Sequence, residues 1–240
     1  MAAKELLYLR RSVVGKFNVV LLPIFVIFVS FVFGGAGIGS ILGLPADSLI
    51  LFGLVVYTTL LSSNFANNAF AWEGEGVKAY FMSPTPPRQV LAGKNLGVWI
   101  YNVLALLLTL TTWSLLRGVP DILTLLTAIL IYASALLFTT TVGNVISVLF
   151  PVRRDMSSMT NSPSQIAVLI AFASLAATVS LVGFFLLPAI LLDRPALQPL
   201  LLLVLLGVLA WLYGITLRFA ARLLEKRRER VIESLRAGAA

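Results

Sequence analysis

The stretch ILTLLTAILIYASALLFTTTVGNVISVLF, residues 122–150, contains no Asp, Glu, Lys or Arg. An α-helix needs about 20 apolar residues to cross a hydrocarbon layer about 30 Å thick, so this segment spans with residues to spare. Outward from it, five more uncharged apolar stretches have the same character: 17–33, 49–71, 96–116, 163–187 and 197–217. Helix is the expected form, because backbone groups that face lipid must be satisfied inside their own segment. The alternation expected of a membrane β-barrel is missing.

Composition leads to the same class. The chain of 240 residues is 59% hydrophobic and 12% charged, with a mean hydropathy of +0.98. Soluble domains run at about 45–50% apolar and about 25% charged. The fold class predicted is all-α integral membrane, with about six transmembrane helices forming a single domain over 1–240; no internal repeat argues for two fused halves. Cysteine and histidine are both absent, which removes thiol nucleophiles, disulfides, Cys/His zinc sites and imidazole bases. No ionisable group is expected inside a span, whereas ion-coupled carriers usually bury a carboxylate there. Driving force is therefore expected to come from outside the chain.

The net charge of +8 is a topology signal. With the N-terminus in the cytoplasm, every Lys and Arg of the eighteen except Arg117 and Arg194 falls inside, as the positive-inside rule requires. Both ends are then cytoplasmic, and Asp47, Asp121 and Asp193 mark the outer connections. Lys4 to Val14 reads as a short amphipathic helix lying on the inner leaflet, with Leu6, Leu9 and Val13 on one face. The first span is read as a retained span and not a cleavable signal, since Gly34 to Gly39 runs directly into the next segment as a flexible outer turn. Asp121 is expected to cap the fourth span, Asp47 or Ser48 the second, and Ser162, Pro163 and Gln165 to open the fifth. The C-terminal tail, 218–240, is expected to extend the last span as a basic helix. Its Arg222, Lys226, Arg227, Arg228 and Arg230 are attracted to anionic lipid and not to nucleic acid.

The connection at 72–95 is the most specific part of the chain. Trp72 marks the interface, Val77, Tyr80 and Phe81 form a short amphipathic helix stopped at Pro84, and Pro86 and Pro87 stiffen a turn before Arg88 resumes a helix. The run NNAFAWEGEGVKAYFMSPTPPRQVLAGKNLG, 67–97, resembles the membrane subunits of ABC transporters of the type-2 exporter class. That family shows, in the same order, an acidic-Gly element, a short helix, a Ser-Pro turn with a basic residue and an Ala-Gly-Lys-Asn-like start to the third span. More loosely, the resemblance extends to the surface helix, the six spans, a re-entrant-looking outer segment near Phe184 to Pro195 and the C-terminus.

The resemblance implies a permease subunit in a bacterial inner (plasma) membrane, paired with a second permease copy or paralogue, and a coupling helix that docks on a separate ATP-binding subunit. The docking residues carried over are Glu73, Glu75, Gly76, Val77, Lys78, Tyr80 and Phe81. ATP and Mg would be held by that partner, with no cofactor or metal on this chain, and indeed no G-x-x-x-x-G-K-[ST] occurs: Gly93-Lys94 is followed by Asn95. Path-lining or packing roles are open for Thr127, Ser134 and Thr141, spaced by seven, and for the stripe Ala167, Ala171, Ser174 and Thr178. Asn64, Asn67 and Asn68 suit a gate or a headgroup-facing end. The alternatives are a non-transporting membrane scaffold and an intramembrane enzyme; the latter is short of histidine, paired acids and a lysine at membrane depth.

Overall fold

A computed structural model describes residues 2–34, 45–153 and 165–237. Within them the chain is all-α: α1 (Ala2–Arg11), α2 (Val13–Gly34), α3 (Ala46–Asn67), a 3-10 turn (Gly74–Gly76), α4 (Val77–Met82), α5 (Pro87–Arg117), α6 (Ile122–Leu149), α7 (Gln165–Leu191), α8 (Leu197–Lys226) and α9 (Arg228–Ala237). Six of these helices, α2, α3, α5, α6, α7 and α8, are long and apolar enough to cross a membrane, and the chain is a multi-pass membrane protein.

Burial separates an inner pair of helices from the rest. In α3, 62% of the most apolar stretch is buried within the chain, against 17% in α2. Accordingly α3 and α6 sit at the centre, with α8 packed along α6 and α5 across α3. Outward faces remain apolar: Val20, Ile24, Phe28 and Phe31 stand exposed along one stripe of α2, and Leu203, Val204 and Trp211 along α8. In water each such side chain would forfeit about 1.5–3 kcal/mol, so these faces belong in hydrocarbon.

Lipid tails are as apolar as leucine, so helices in a membrane associate through close packing and interhelical hydrogen bonds. Both are present. A Cβ on Gly143 of α6 would come within 2.5 Å of the Ala66 carbonyl oxygen on α3, so only glycine permits that crossing. The Tyr132 hydroxyl of α6 donates to the Asn102 backbone oxygen of α5 at 2.7 Å, and Asn95 Nδ2 of α5 donates to Asn144 Oδ1 of α6 at 2.8 Å.

Several element ends differ from the sequence reading. α3 stops at Asn67 and not at Ala71, because Asn68 leaves helical geometry and turns its side chain to the backbone of Val152. α5 starts at Pro87, next to the Arg88 where a helix is expected to resume, and runs unbroken into the apolar stretch that begins at residue 96. Lys94 therefore stands inside the helix and not in a solvated loop. The cap of α3 is Pro45, with no side-chain bond, in place of Asp47 or Ser48. Asp121 caps α6 as expected, its Oδ1 accepting from the backbone N–H of Leu123 and Thr124 at 3.0 Å each. The re-entrant segment near Phe184 to Pro195 is replaced by one continuous α7 with Pro188 inside it, followed by a turn. The last helix does not simply continue: α8 ends at Lys226 and α9 folds back onto the 3-10 turn and α4. Gly35 to Gly39, Arg154, Ser162 and Pro163 lie outside the described residues.

Candidate functional site

The 67–97 connection folds into a small subassembly at one end of the bundle. Phe70 and Val77 are fully buried there against Val90 and Leu91 of α5, Leu217 and Leu224 of α8, and Val231 and Leu235 of α9. The apolar face of α9 is thus spent on protein, which an amphipathic helix achieves when residues spaced by three or four share a face. Its arginines at 228 and 230 point outward.

Beside that apolar floor lies a buried ionic cluster joining three elements. Lys94 of α5, only 1% exposed, donates from Nζ to Glu73 Oε1 and to Glu5 Oε1 of α1, both at 2.6 Å. Lys4 of α1 donates to Glu73 Oε2 at 2.6 Å and to the Tyr80 hydroxyl at 2.9 Å. Tyr80 of α4 donates in turn to Glu73 Oε1 at 2.6 Å. The two ammonium groups are also flanked by rings: Lys94 Nζ lies 5.2 Å from the Phe70 centroid and Lys4 Nζ 4.9 Å from that of Tyr80, within cation–π range. Backbone approach makes this reach possible, since a Cβ on Gly97 would meet Glu5 Cβ at 2.5 Å.

Two lysines face two glutamates, so the cluster is neutral as a whole. Burial alone would raise the Glu73 carboxyl, yet Lys94, Lys4 and Tyr80 hold its pKa below the ordinary glutamate value. Burial pushes Glu5 up, and Lys94 offsets this only in part. For Lys4, burial works against the charge, but hydrogen bonds to Glu73 and Tyr80 keep its pKa above that of a free lysine. Burial, followed by the bond to Glu73, raises the Tyr80 hydroxyl. Such a cluster is a poor proton shuttle and a good clamp: removing one member strands a buried charge, at a cost of about 3–5 kcal/mol.

The residues expected to dock a partner therefore divide. Glu73 and Val77 face inward and build the frame; Lys78, Tyr80 and Phe81 are half-buried; Gly76 is exposed. The side chain of Glu75 lies outside the described set, as does that of Asn64. The residue that protrudes is Met82, 86% exposed at the end of α4, beside exposed Pro84 and Pro86. Its signal in the sequence was available as an apolar residue immediately before the Ser-Pro stop. By contrast nothing in the spacing marks Glu5, Lys4 and Lys94 as partners of Glu73, because they are drawn together from distant parts of the chain.

Thr127, Ser134 and Thr141 share one buried face of α6. The Thr141 hydroxyl donates to the Leu137 carbonyl of its own helix at 2.7 Å, while those of Thr127 and Ser134 have no partner among the described residues. Asn67 is buried with neither side-chain polar atom paired among the described residues, and Asn68 ties the end of α3 to Val152. Ser174 and Thr178 of α7 are buried and joined by a 2.7 Å bond along their helix. Among the described residues no group of His, Cys, Asp or Glu is arranged to hold a metal ion. No protein-family model, curated protein or solved structure matches the chain.

Proposed function

We propose that this chain is the membrane-spanning subunit of an ATP-driven exporter in a bacterial inner membrane, with α4 as the element on which a separate ATP-binding subunit docks. The observation that carries the reading is the contrast along α4: Met82 protrudes at 86% exposure, whereas Val77 at the other end is fully buried and the preceding Glu73 is ion-paired to α5. A short exposed tip on a clamped base transmits displacement instead of absorbing it. Exposed methionine and aromatic side chains suit the centre of such an interface.

In this mechanism ATP and Mg are held by the partner, and closure of two ATP-binding subunits pushes on Met82 and Phe81. The push passes through Val77 and Glu73 to Lys94 on α5, and through the chain connection to α3, the most buried span. A second permease copy or paralogue forms the other half of the path. The positive-inside rule supports placing α1, α4 and α9 on the cytoplasmic side, where ATP is.

The chain has no cysteine, so Met82→Cys introduces a unique thiol. Cross-linked in native membranes, it is expected to capture a polypeptide that photolabels with azido-ATP, and the double substitution Phe81→Arg with Met82→Cys, which keeps the thiol, is expected to abolish both capture and ATP-dependent flux. Capture and flux unaffected by the double substitution, or gradient-driven flux by the purified chain without nucleotide, would overturn the reading. Tyr80 is a poor choice for this test, because its hydroxyl also belongs to the ionic cluster.

A further inference from the structure

Two cavities adjoin at the end of the bundle opposite α4, and their chemistry differs. One, of about 260 Å³, lies where the starts of α3, α6 and α8 meet the end of α7 and is lined by Ser48, Thr124, Asp121, Asp193, Arg194 and Gln198 among others. The other is an open groove of about 810 Å³ between α2, α3 and α7, walled by side chains such as Phe25, Val29 and Val179. Phe52 and Ile190 line both. The groove lies within the size range of small-molecule sites, about 300–1,000 Å³.

Three observations indicate an occupant. Gln198 is 4% exposed and lines the polar cavity, its backbone N–H bonded to the Pro195 carbonyl and its side-chain amide open to whatever fills that cavity. Asp193 and Arg194 make no ion pair among the described residues, and Asp193 is held at φ 50°, in the left-handed region disfavoured for a side chain. Finally, Gly53 of α3 and Gly183 of α7 both line the groove, and a Cβ at either would meet nothing within 4 Å. Glycine there keeps the groove open without letting helices touch.

We infer that the two cavities form one binding site for a zwitterionic glycerophospholipid, its headgroup in the polar cavity and an acyl chain in the groove. The mouth offers two carboxylates, Asp121 and Asp193, against one guanidinium, Arg194. A headgroup that brings both an ammonium and a phosphate matches that set: ammonium to the carboxylates, phosphate to Arg194, and a phosphate or ester oxygen accepting from the Gln198 amide. An anionic headgroup lacking the ammonium would leave the carboxylates facing like charge. The site is independent of whether the chain transports anything.

The test uses the full chain in nanodiscs of equal phosphatidylethanolamine and phosphatidylglycerol, released for native mass spectrometry. One retained phosphatidylethanolamine per chain is expected, at least tenfold over phosphatidylglycerol. Gly183→Phe, which fills the groove, and Arg194→Gln, an exposed change that leaves the core intact, should each lower retention about tenfold, while Val208→Phe on the lipid face of α8 should not. Equal retention of both lipids, retention insensitive to Gly183→Phe and Arg194→Gln alike, or a dimer in which the groove holds no lipid would overturn the assignment, the last by giving the groove to a second copy.

Discussion

The centre of the bundle and the end that carries α4 are held together by opposite means. Around α3 and α6 the contacts are apolar and close, with Leu51, Val55, Ala128 and Ile131 buried. At the α4 end the decisive contacts are charged, and they bind α1, the 3-10 turn, α4 and α5 through Lys94 and Glu73. The first arrangement tolerates exchange of one apolar residue for another of similar volume. The second depends on every member being present, so it is where a single substitution should do the most damage.

Lys94→Met sharpens that comparison most strongly. It leaves Glu5 and Glu73 with Lys4 as their sole cation in the cluster, and a loss of about 3–5 kcal/mol is expected, read as a lowered midpoint in thermal unfolding of the purified protein. Replacing Glu5 as well, in Glu5→Leu with Lys94→Met, returns the cluster to one carboxylate, Glu73, facing Lys4 and Tyr80. That double variant should recover most of the loss, because a buried pair exchanged for apolar residues is often neutral. A double variant no better than the single one would show that the cluster is not an electrostatic unit.

Between α3 and α6 the test is steric. Gly143→Leu drives a side chain into Ala66 and should separate α3 from α6 at a cost of about 1–3 kcal/mol, whereas Gly214→Leu on α8, where a Cβ meets nothing within 4 Å, should be close to neutral by the same unfolding assay. Equal effects of the two would remove the close crossing as a determinant of the bundle.

This contrast also explains what could be read in advance. The six spans announce themselves because hydrocarbon imposes a length and a polarity that leave a local trace, visible in 122–150 without any neighbour. The cap at Asp121 is equally local, as is the short helix stopped by Ser83 and Pro84. Glu73 escapes such reading. Its environment is set by Lys4 and Lys94, which are remote in sequence, so an acidic residue beside glycine reads as a solvated or docking group when it is buried. Likewise α9 has the composition of a lipid-facing basic tail, and only the placement of Val231 and Leu235 against Phe70 and Val77 reveals its second face. The start of α5 at Pro87 was legible to within a residue, because the prolines mark the turn and Arg88 the resumed helix, whereas polar residues up to Asn95 break the apolar run and hide that the same helix carries the span.

The smallest expected effect concerns the end of the bundle away from the ionic cluster, where charge acts locally and in the open. Asp121 is exposed, and its hydrogen bonds, foremost with Thr124, hold its pKa below the ordinary aspartate value. A carboxyl whose pKa falls on folding contributes stability that is present above the unfolded pKa and lost as pH falls through the folded one. Asp121→Ala removes both the acceptor and the charge and should cost about 1 kcal/mol at neutral pH. Asp121→Asn keeps an acceptor for the Leu123 and Thr124 N–H groups while losing only the charge at the start of α6, for which a few tenths of a kcal/mol are expected at an exposed helix N-terminus. The gap between wild type and Asp121→Asn should close as pH is lowered past the aspartate range, because the wild-type carboxyl then becomes neutral too. A gap that persists unchanged into acid would mean that the side chain stabilises α6 by hydrogen bonding alone.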